Sequence, residues 1–190
     1  VEFGSGSSVK TPILIEAVDP AVYVPIDISG DFLRESADTL EQSFPGLPVE
    51  PVEADFMHPL TLPDAAQNLS RLGFFPGSTI GNMVPRTAVD LLRRMRDSLG
   101  EGALLLIGMD RVKGEDILVP AYDDAAGVTA NFNLNLLDRI NRELGGDIPR
   151  SSFRHVARWN ESHARIEMHI EAQEDVSFGV AGERFTMAKG

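Results

Sequence analysis

Residues 73–110 read GFFPGSTIGNMVPRTAVDLLRRMRDSLGEGALLLIGMD, and their reading decides the fold. An apolar run ending in Phe74-Phe75 breaks at Pro76-Gly77. Pro85 then opens an amphipathic segment with Ala88, Leu91, Leu92, Met95 and Leu99 on one side, ended by Gly100 and Gly102. The apolar run ALLLIGMD (103–110) follows without alternation, as expected of a strand covered by helices on both faces. Strand, helix and strand in this order form a βαβ unit.

The same grammar extends toward the N-terminus. VEF (1–3) reads as the end of a buried strand stopped by GSGSS, and KTPILIEAV (10–18) as a helix with Pro12 in its first turn. VYVPIDI (22–28) is a second strand, after which Ser29 caps a helix whose Phe32, Leu33, Ala37 and Leu40 share a face. PVEPVEADF (48–56) is a third strand, broken by prolines, and LGFFPGS (72–78) is the fourth. This alternation predicts an α/β fold, a doubly wound, Rossmann-like sheet.

At about Lys113 the pattern changes. AAGVTANFNLNLLDRINRELGG (125–146) predicts a long helix with Leu134, Leu137, Ile140 and Leu144 inward. SFRHVARWNESHARIEMHIEAQ (152–173) predicts a hairpin turning near Asn160-Glu161-Ser162, with Trp159 in its core and Ala164, Ile166, Met168 and Ile170 alternating along its second arm. Two shorter strands follow, VSFGV and RFTMA. Residues 1–112 therefore read as one core, and 113–190 as an inserted or appended α+β module.

Composition narrows the function classes. The 190 residues carry a net charge of -12, and the densest basic cluster, Arg93-Arg94 with Arg96, shares its helix with Asp90 and Asp97. That balance counts against a nucleic-acid partner. The chain has no cysteine, which removes disulfides and thiolate metal sites and fits a reducing, cytoplasmic setting. No apolar run approaches the roughly 20 residues of a membrane span. The first residue is Val1, in what reads as mid-strand, so truncation at both ends is expected.

Candidate ligand-binding residues lie at strand ends. Gly4, Ser5 and Gly6 follow the first strand, where glycines allow a tight turn and close approach of a ligand to backbone. Val9 stands where a dinucleotide fingerprint wants its third glycine, which counts against NAD and FAD. Asp27 ends the second strand, placed to accept from ribose hydroxyls. Asp55-Phe56 ends the third, where adenine can stack on Phe56 and donate to Asp55. Such a series describes S-adenosylmethionine better than a phosphate ligand, although each motif alone is also an ordinary turn or cap. In FFPGSTIGN (74–82), Gly77 and Gly81 keep backbone close to a cofactor, and Asn82 offers donor and acceptor from one amide. Spacing alone favours reading Asn82 as a cap for the Pro85 helix. His163 and His169 are too far apart along one strand to share a metal ion, and no metal is expected. His58 has no evident partner, and Asn131, Asn133 and Asn135 read as exposed polar positions.

The segments EFGSGSSVKT, VPIDIS, ADF, FFPGSTIGN, LLLIGMDRVK and AYDDAAGVTANFNLNLLDRINRELG together resemble the histidine-specific S-adenosylmethionine-dependent methyltransferases. That family includes the enzyme that trimethylates the α-amine of L-histidine to hercynine on the route to ergothioneine. The resemblance runs over nearly the whole chain. It implies a methyltransferase core interrupted after its fifth strand by a substrate-binding insertion. It implies that Gly4, Lys10, Asp27, Asp55 and Phe56 contact the cofactor, and that Asn82 and Tyr122 hold the head of the amino-acid substrate. The residues that read the imidazole in the family lie outside this stretch of chain. Orientation of the reactants is then the main task, with no essential catalytic base. Two alternatives stand beside this: a relative that methylates another amine, such as the prenylated-tryptophan type, and a silent module that binds cofactor without turnover.

Overall fold

Strands of two to four residues can persist as a sheet only where helices cover them, and the first half of the chain is built that way. The structure, a computed structural model, describes residues 1–6 and 10–190, so Val9 lies outside the described residues. The chain divides into two units, Val1–Asp110 and Arg111–Gly190.

In the first unit the elements are β1 (Glu2–Phe3), α1 (Thr11–Val18), β2 (Pro25–Asp27), α2 (Gly30–Ser43), β3 (Val52–Glu53), β4 (Leu72–Phe75), α3 (Pro85–Leu99) and β5 (Leu104–Ile107). The strands form one parallel sheet in the order β3-β2-β1-β4-β5. The chain runs outward from β1 to β3, then returns to the other side of β1 with β4. The strand order therefore reverses between β1 and β4, and the crevice beyond their carboxyl ends is where such sheets bind ligands.

Leu91, Met95 and Leu99 of α3 are buried against Phe3, Ile26 and Phe75 of the strands. The opposite side of the helix keeps Arg93 on Asp90 and Arg96 on Asp97. Gly73 lies where α3 presses on the sheet: a Cβ there would stand 2.6 Å from Leu99 Cδ1 and 2.9 Å from Leu105 Cδ1. Three expectations change. Phe32 is 45% exposed while Leu33, Ala37 and Leu40 are buried, so the inward stripe of α2 is narrower than its apolar residues. Leu104 and Leu106 of β5 are exposed, because β5 is an edge strand with one face on the core. Ser29 occupies the N-cap of α2, but its hydroxyl makes no cap bond; the Asp27 carboxylate accepts the Ser29 N–H instead.

The second unit contains α4 (Glu115–Tyr122), α5 (Val128–Leu144) and two antiparallel ribbons, β6 (Phe153–Asn160) with β7 (Arg165–Ala172) and β8 (Val176–Val180) with β9 (Glu183–Met187). Its core joins Leu137 and Ile148 to Phe153, Ala172 and Phe178. Leu144, expected inward, is exposed in the last turn of α5. The β6–β7 turn is a 3-10 turn in which the Asn160 side chain accepts the His163 N–H and Ala164 takes a left-handed φ of 48°. His163 and Ala164 thus belong to the turn and not to the second arm. On one face of the ribbon Arg154 and Arg158 grip Glu171. The other face pairs Phe153, His155, Ala157 and Trp159 with Ala172, Ile170, Met168 and Ile166. Among the described residues, no helix is long and apolar enough to cross a membrane.

Candidate functional site

The turn after β1 is held by backbone hydrogen bonds and one carboxylate. Gly4 and Gly6 adopt φ of 69° and 49°, a left-handed region that costs other residues about 1 kcal/mol or more. The N–H groups of Gly4 and Ser5 donate to the Ile26 carbonyl at 2.8 and 3.2 Å. Gly6 N–H donates to Asp27 Oδ2 at 3.1 Å, and Ser29 N–H to Asp27 Oδ1 at 2.9 Å. Ser36 Oγ closes the loop by donating to the Gly6 carbonyl at 3.2 Å. One carboxylate therefore ties the glycine turn to the start of α2, and each of its oxygens keeps a lone pair for a further donor. Ser5 is buried and Lys10 is exposed at the N-cap of α1.

Beneath this turn, and not foreseen from the sequence, lies Glu2. It is 2% exposed, and its Oε2 accepts from the hydroxyls of Thr11 at 2.7 Å and Tyr23 at 2.6 Å. Burial pushes its carboxyl above the ordinary glutamate range, against the opposing pull of the Tyr23 and Thr11 hydroxyls. A charged residue inside an apolar strand was the available signal.

Asp55 and Phe56 follow β3. The two Asp55 oxygens accept from Met57 N–H at 2.8 Å and face His58 Nδ1 at 2.9 Å, so His58 has a partner after all. The Phe56 ring meets Phe3 and Phe75 edge-on, at centroid distances of 6.4 and 5.8 Å. A Cβ on Gly4 would reach Phe56 Cε1 at 3.4 Å, so the ring stands over the bare glycine backbone.

The exit of β4 explains the length of its connection. Gly77 and Ser78 both take positive φ, and a 3-10 turn spans Thr79–Asn82 before α3 begins. Ser78 Oγ accepts from Asp110 N–H at 2.9 Å, and Gly108 N–H donates to the Phe75 carbonyl at 2.9 Å. Gly108 also comes close to this loop, since a Cβ there would be 3.3 Å from Gly77 N. The nine residues of the connection, 76–84, thus build a hydrogen-bonded shelf. Asn82 lies at its end, exposed, and its amide has no hydrogen-bond partner among the described residues. It does not cap α3: the N-cap is Val84, without a side-chain bond, and Pro85 removes one N–H that would need one.

Tyr122 belongs to the second unit, where it is the last residue of α4 and 38% exposed. Its backbone carbonyl lies 2.7 Å from His155 Nε2. Two residues on, Asp124 accepts from the N–H groups of Thr129 at 2.8 Å and Val128 at 3.0 Å, with Gly127 left-handed between them. The DDAAG stretch is therefore a cap for α5. The Thr129 N–H and side chain, then the Val128 N–H, hold the Asp124 carboxyl down at about 2. A carboxyl lower in the folded than in the unfolded state contributes stability that is full above the unfolded value, about 3.9, and fades as pH falls toward 2. Asp124→Asn should therefore lower the melting temperature at pH 6, and the difference from the parent should shrink when the melts are repeated near pH 2.5. Of the three asparagines of the NFNLN stretch in α5, Asn131 accepts from Arg150 and Asn135 is exposed, but Asn133 is half-buried and bonded to His155, against expectation.

A sequence model described as "Histidine-specific methyltransferase, SAM-dependent" matches residues 1–190. The chain is 42% identical over 178 residues to the histidine N-alpha-methyltransferase of Mycolicibacterium smegmatis, covering 91% of this chain and 54% of that protein. It is 40% identical over 176 residues to the protein of that name from Mycobacterium tuberculosis, with 90% and 54% covered. Similarity extends at 29% identity over 170 residues to the N-methyltransferase dtpB of Aspergillus flavus, with 78% and 45% covered. The chain spans about half the length of these two mycobacterial relatives.

Proposed function

Because the chain belongs to the histidine-specific, S-adenosylmethionine-dependent methyltransferase family, we propose that the protein methylates the α-amine of L-histidine, in up to three steps to hercynine, as in ergothioneine biosynthesis. The observation that carries this reading in the structure is the β4 shelf, which presents the uncommitted amide of Asn82 beside the switch point of the sheet. An amino-acid head group has donors on one side and acceptors on the other, and one amide matches both. Mycobacterial relatives named for the same activity support the substrate.

The residues of the first unit fit S-adenosylmethionine. Gly4, Ser5 and Gly6 bring backbone within reach of a ligand, and Asp27 keeps lone pairs for ribose hydroxyls. Phe56 offers a ring face, with Asp55 next to it, for adenine; Gly77 lets the β4 loop approach, and Lys10 borders the turn. When bound, the cofactor supplies a methyl group on a sulfonium, already electrophilic. Asn82 and Tyr122 then orient the amine, a contribution that can reach several kcal/mol. The α-amine is mostly protonated near pH 7 and must shed its proton to attack; we assign that proton to solvent and no residue as general base. The setting we infer is the cytoplasm, in keeping with the absence of cysteine.

The test is mass spectrometry of the intact protein incubated with S-adenosylmethionine and an equimolar mixture of amino acids. Stepwise gain of up to three methyl groups on histidine alone is the expected result. Methylation of a different amine would overturn the substrate while keeping the cofactor site. Cofactor binding without any transfer would point to a silent module.

A further inference from the structure

The second unit holds a buried polar relay that ends on the backbone of Tyr122. His155 points from β6 into the apolar face of the ribbon and is 8% exposed. Its Nε2 lies 2.7 Å from the Tyr122 carbonyl and its Nδ1 lies 2.9 Å from Asn133 Nδ2. Asn133 Nδ2 is also 3.0 Å from the His169 carbonyl. These contacts settle the proton positions. A backbone carbonyl only accepts, so the Asn133 atom facing His169 is its amide nitrogen, which therefore donates to His155 Nδ1. Nδ1 is then the bare nitrogen of a neutral ring, and Nε2 carries the hydrogen donated to Tyr122.

The carbonyl so held needs an external partner. The last carbonyls of a helix have no donor within it. α4 is eight residues long with Pro120 inside, so its final turn also lacks one N–H. Asp123 follows outside the helix, with φ of -142° and ψ of 64°, and the next anchor is the Asp124 cap of α5. Tyr122 thus stands between two fixed points, one of them His155.

We propose that His155, locked in its Nε2–H tautomer by Asn133, is a positioning residue that sets the aim of Tyr122 toward the amino-acid substrate. The proposal rests on the reading of Tyr122 as a head-group residue. His155 touches neither substrate nor cofactor in this account and acts through the Tyr122 backbone.

Steady-state kinetics of the intact protein, with histidine and S-adenosylmethionine varied separately, test it. His155→Phe should raise KM for histidine about tenfold, the cost of one buried hydrogen bond and a displaced ring, and leave KM for the cofactor within about twofold. His155→Gln, whose amide can still donate at the Nε2 position, should return KM for histidine to within about threefold of the parent. Asn133→Ala should raise KM for histidine while leaving KM for the cofactor unchanged. Should His155→Phe fail to fold, the Gln and Ala variants still decide. An unchanged KM for histidine in Asn133→Ala and His155→Phe would overturn the proposal. So would equal rises for both substrates with no rescue by Gln, the mark of a merely structural role. Failure of the parent protein to methylate histidine would instead overturn the functional reading beneath it.

Discussion

Asp27→Ala is expected to weaken S-adenosylmethionine binding about 100-fold, measured by calorimetric titration of the intact protein, because it removes hydrogen bonds to a charged group worth about 1.5–3 kcal/mol each. Two losses add. The open lone pairs of the carboxylate vanish for the ribose, and Gly6 N–H and Ser29 N–H lose their acceptor. The second loss loosens the glycine turn, whose left-handed residues are otherwise fixed through the Ile26 carbonyl and the Ser36 hydroxyl. Asp27→Asn separates the two effects. Both Asp27 oxygens receive backbone N–H groups, so an amide nitrogen placed on either side meets a donor it cannot accept from. The asparagine variant should therefore bind the cofactor about tenfold more weakly than the parent, although it differs by one atom. A dissociation constant within threefold of the parent in Asp27→Ala would show that the ribose is held elsewhere.

The frame of this site was legible because it follows from local patterns. Glycines after a strand, acids at strand ends and a proline opening a helix each have a short-range cause. They placed Gly4, Asp27, Asp55 and Pro85 at β-strand exits or helix starts, where the structure has them. What escaped has a tertiary cause. Glu2 is a hub because Thr11 and Tyr23 arrive from different elements, and nothing in VEF announces them. Asn133 reads as exposed on a helical wheel, since its partner His155 is brought to it by a ribbon 22 residues later. His58 lacked a partner until the turn after β3 folded it back on Asp55. β5 misled in the opposite direction: an unbroken apolar run encodes two covered faces, but the cover of an edge strand depends on what else packs there. Asn82 was ambiguous for a simpler reason. Capping and ligand binding ask for the same side chain, and the helix start at Pro85 decides only against the cap.

That decision carries the other large effect. Asn82→Ala should lower kcat/KM for histidine methylation about 100-fold, the value of paired hydrogen bonds to a charged head group plus lost orientation. The fold should not notice. The amide has no partner among the described residues and α3 starts without it, so the melting temperature should match the parent. Cofactor affinity should match as well, because Asp27, Asp55 and Phe56 lie at the ends of other strands. Asn82→Asp sharpens the test. It keeps the acceptor, loses the donor and adds a negative charge facing the substrate carboxylate, so it should be at least as slow as alanine despite its near-identical shape. If kcat/KM for histidine in Asn82→Ala stayed within twofold of the parent, the shelf after β4 would serve the cofactor alone. The head group would then be held by other residues.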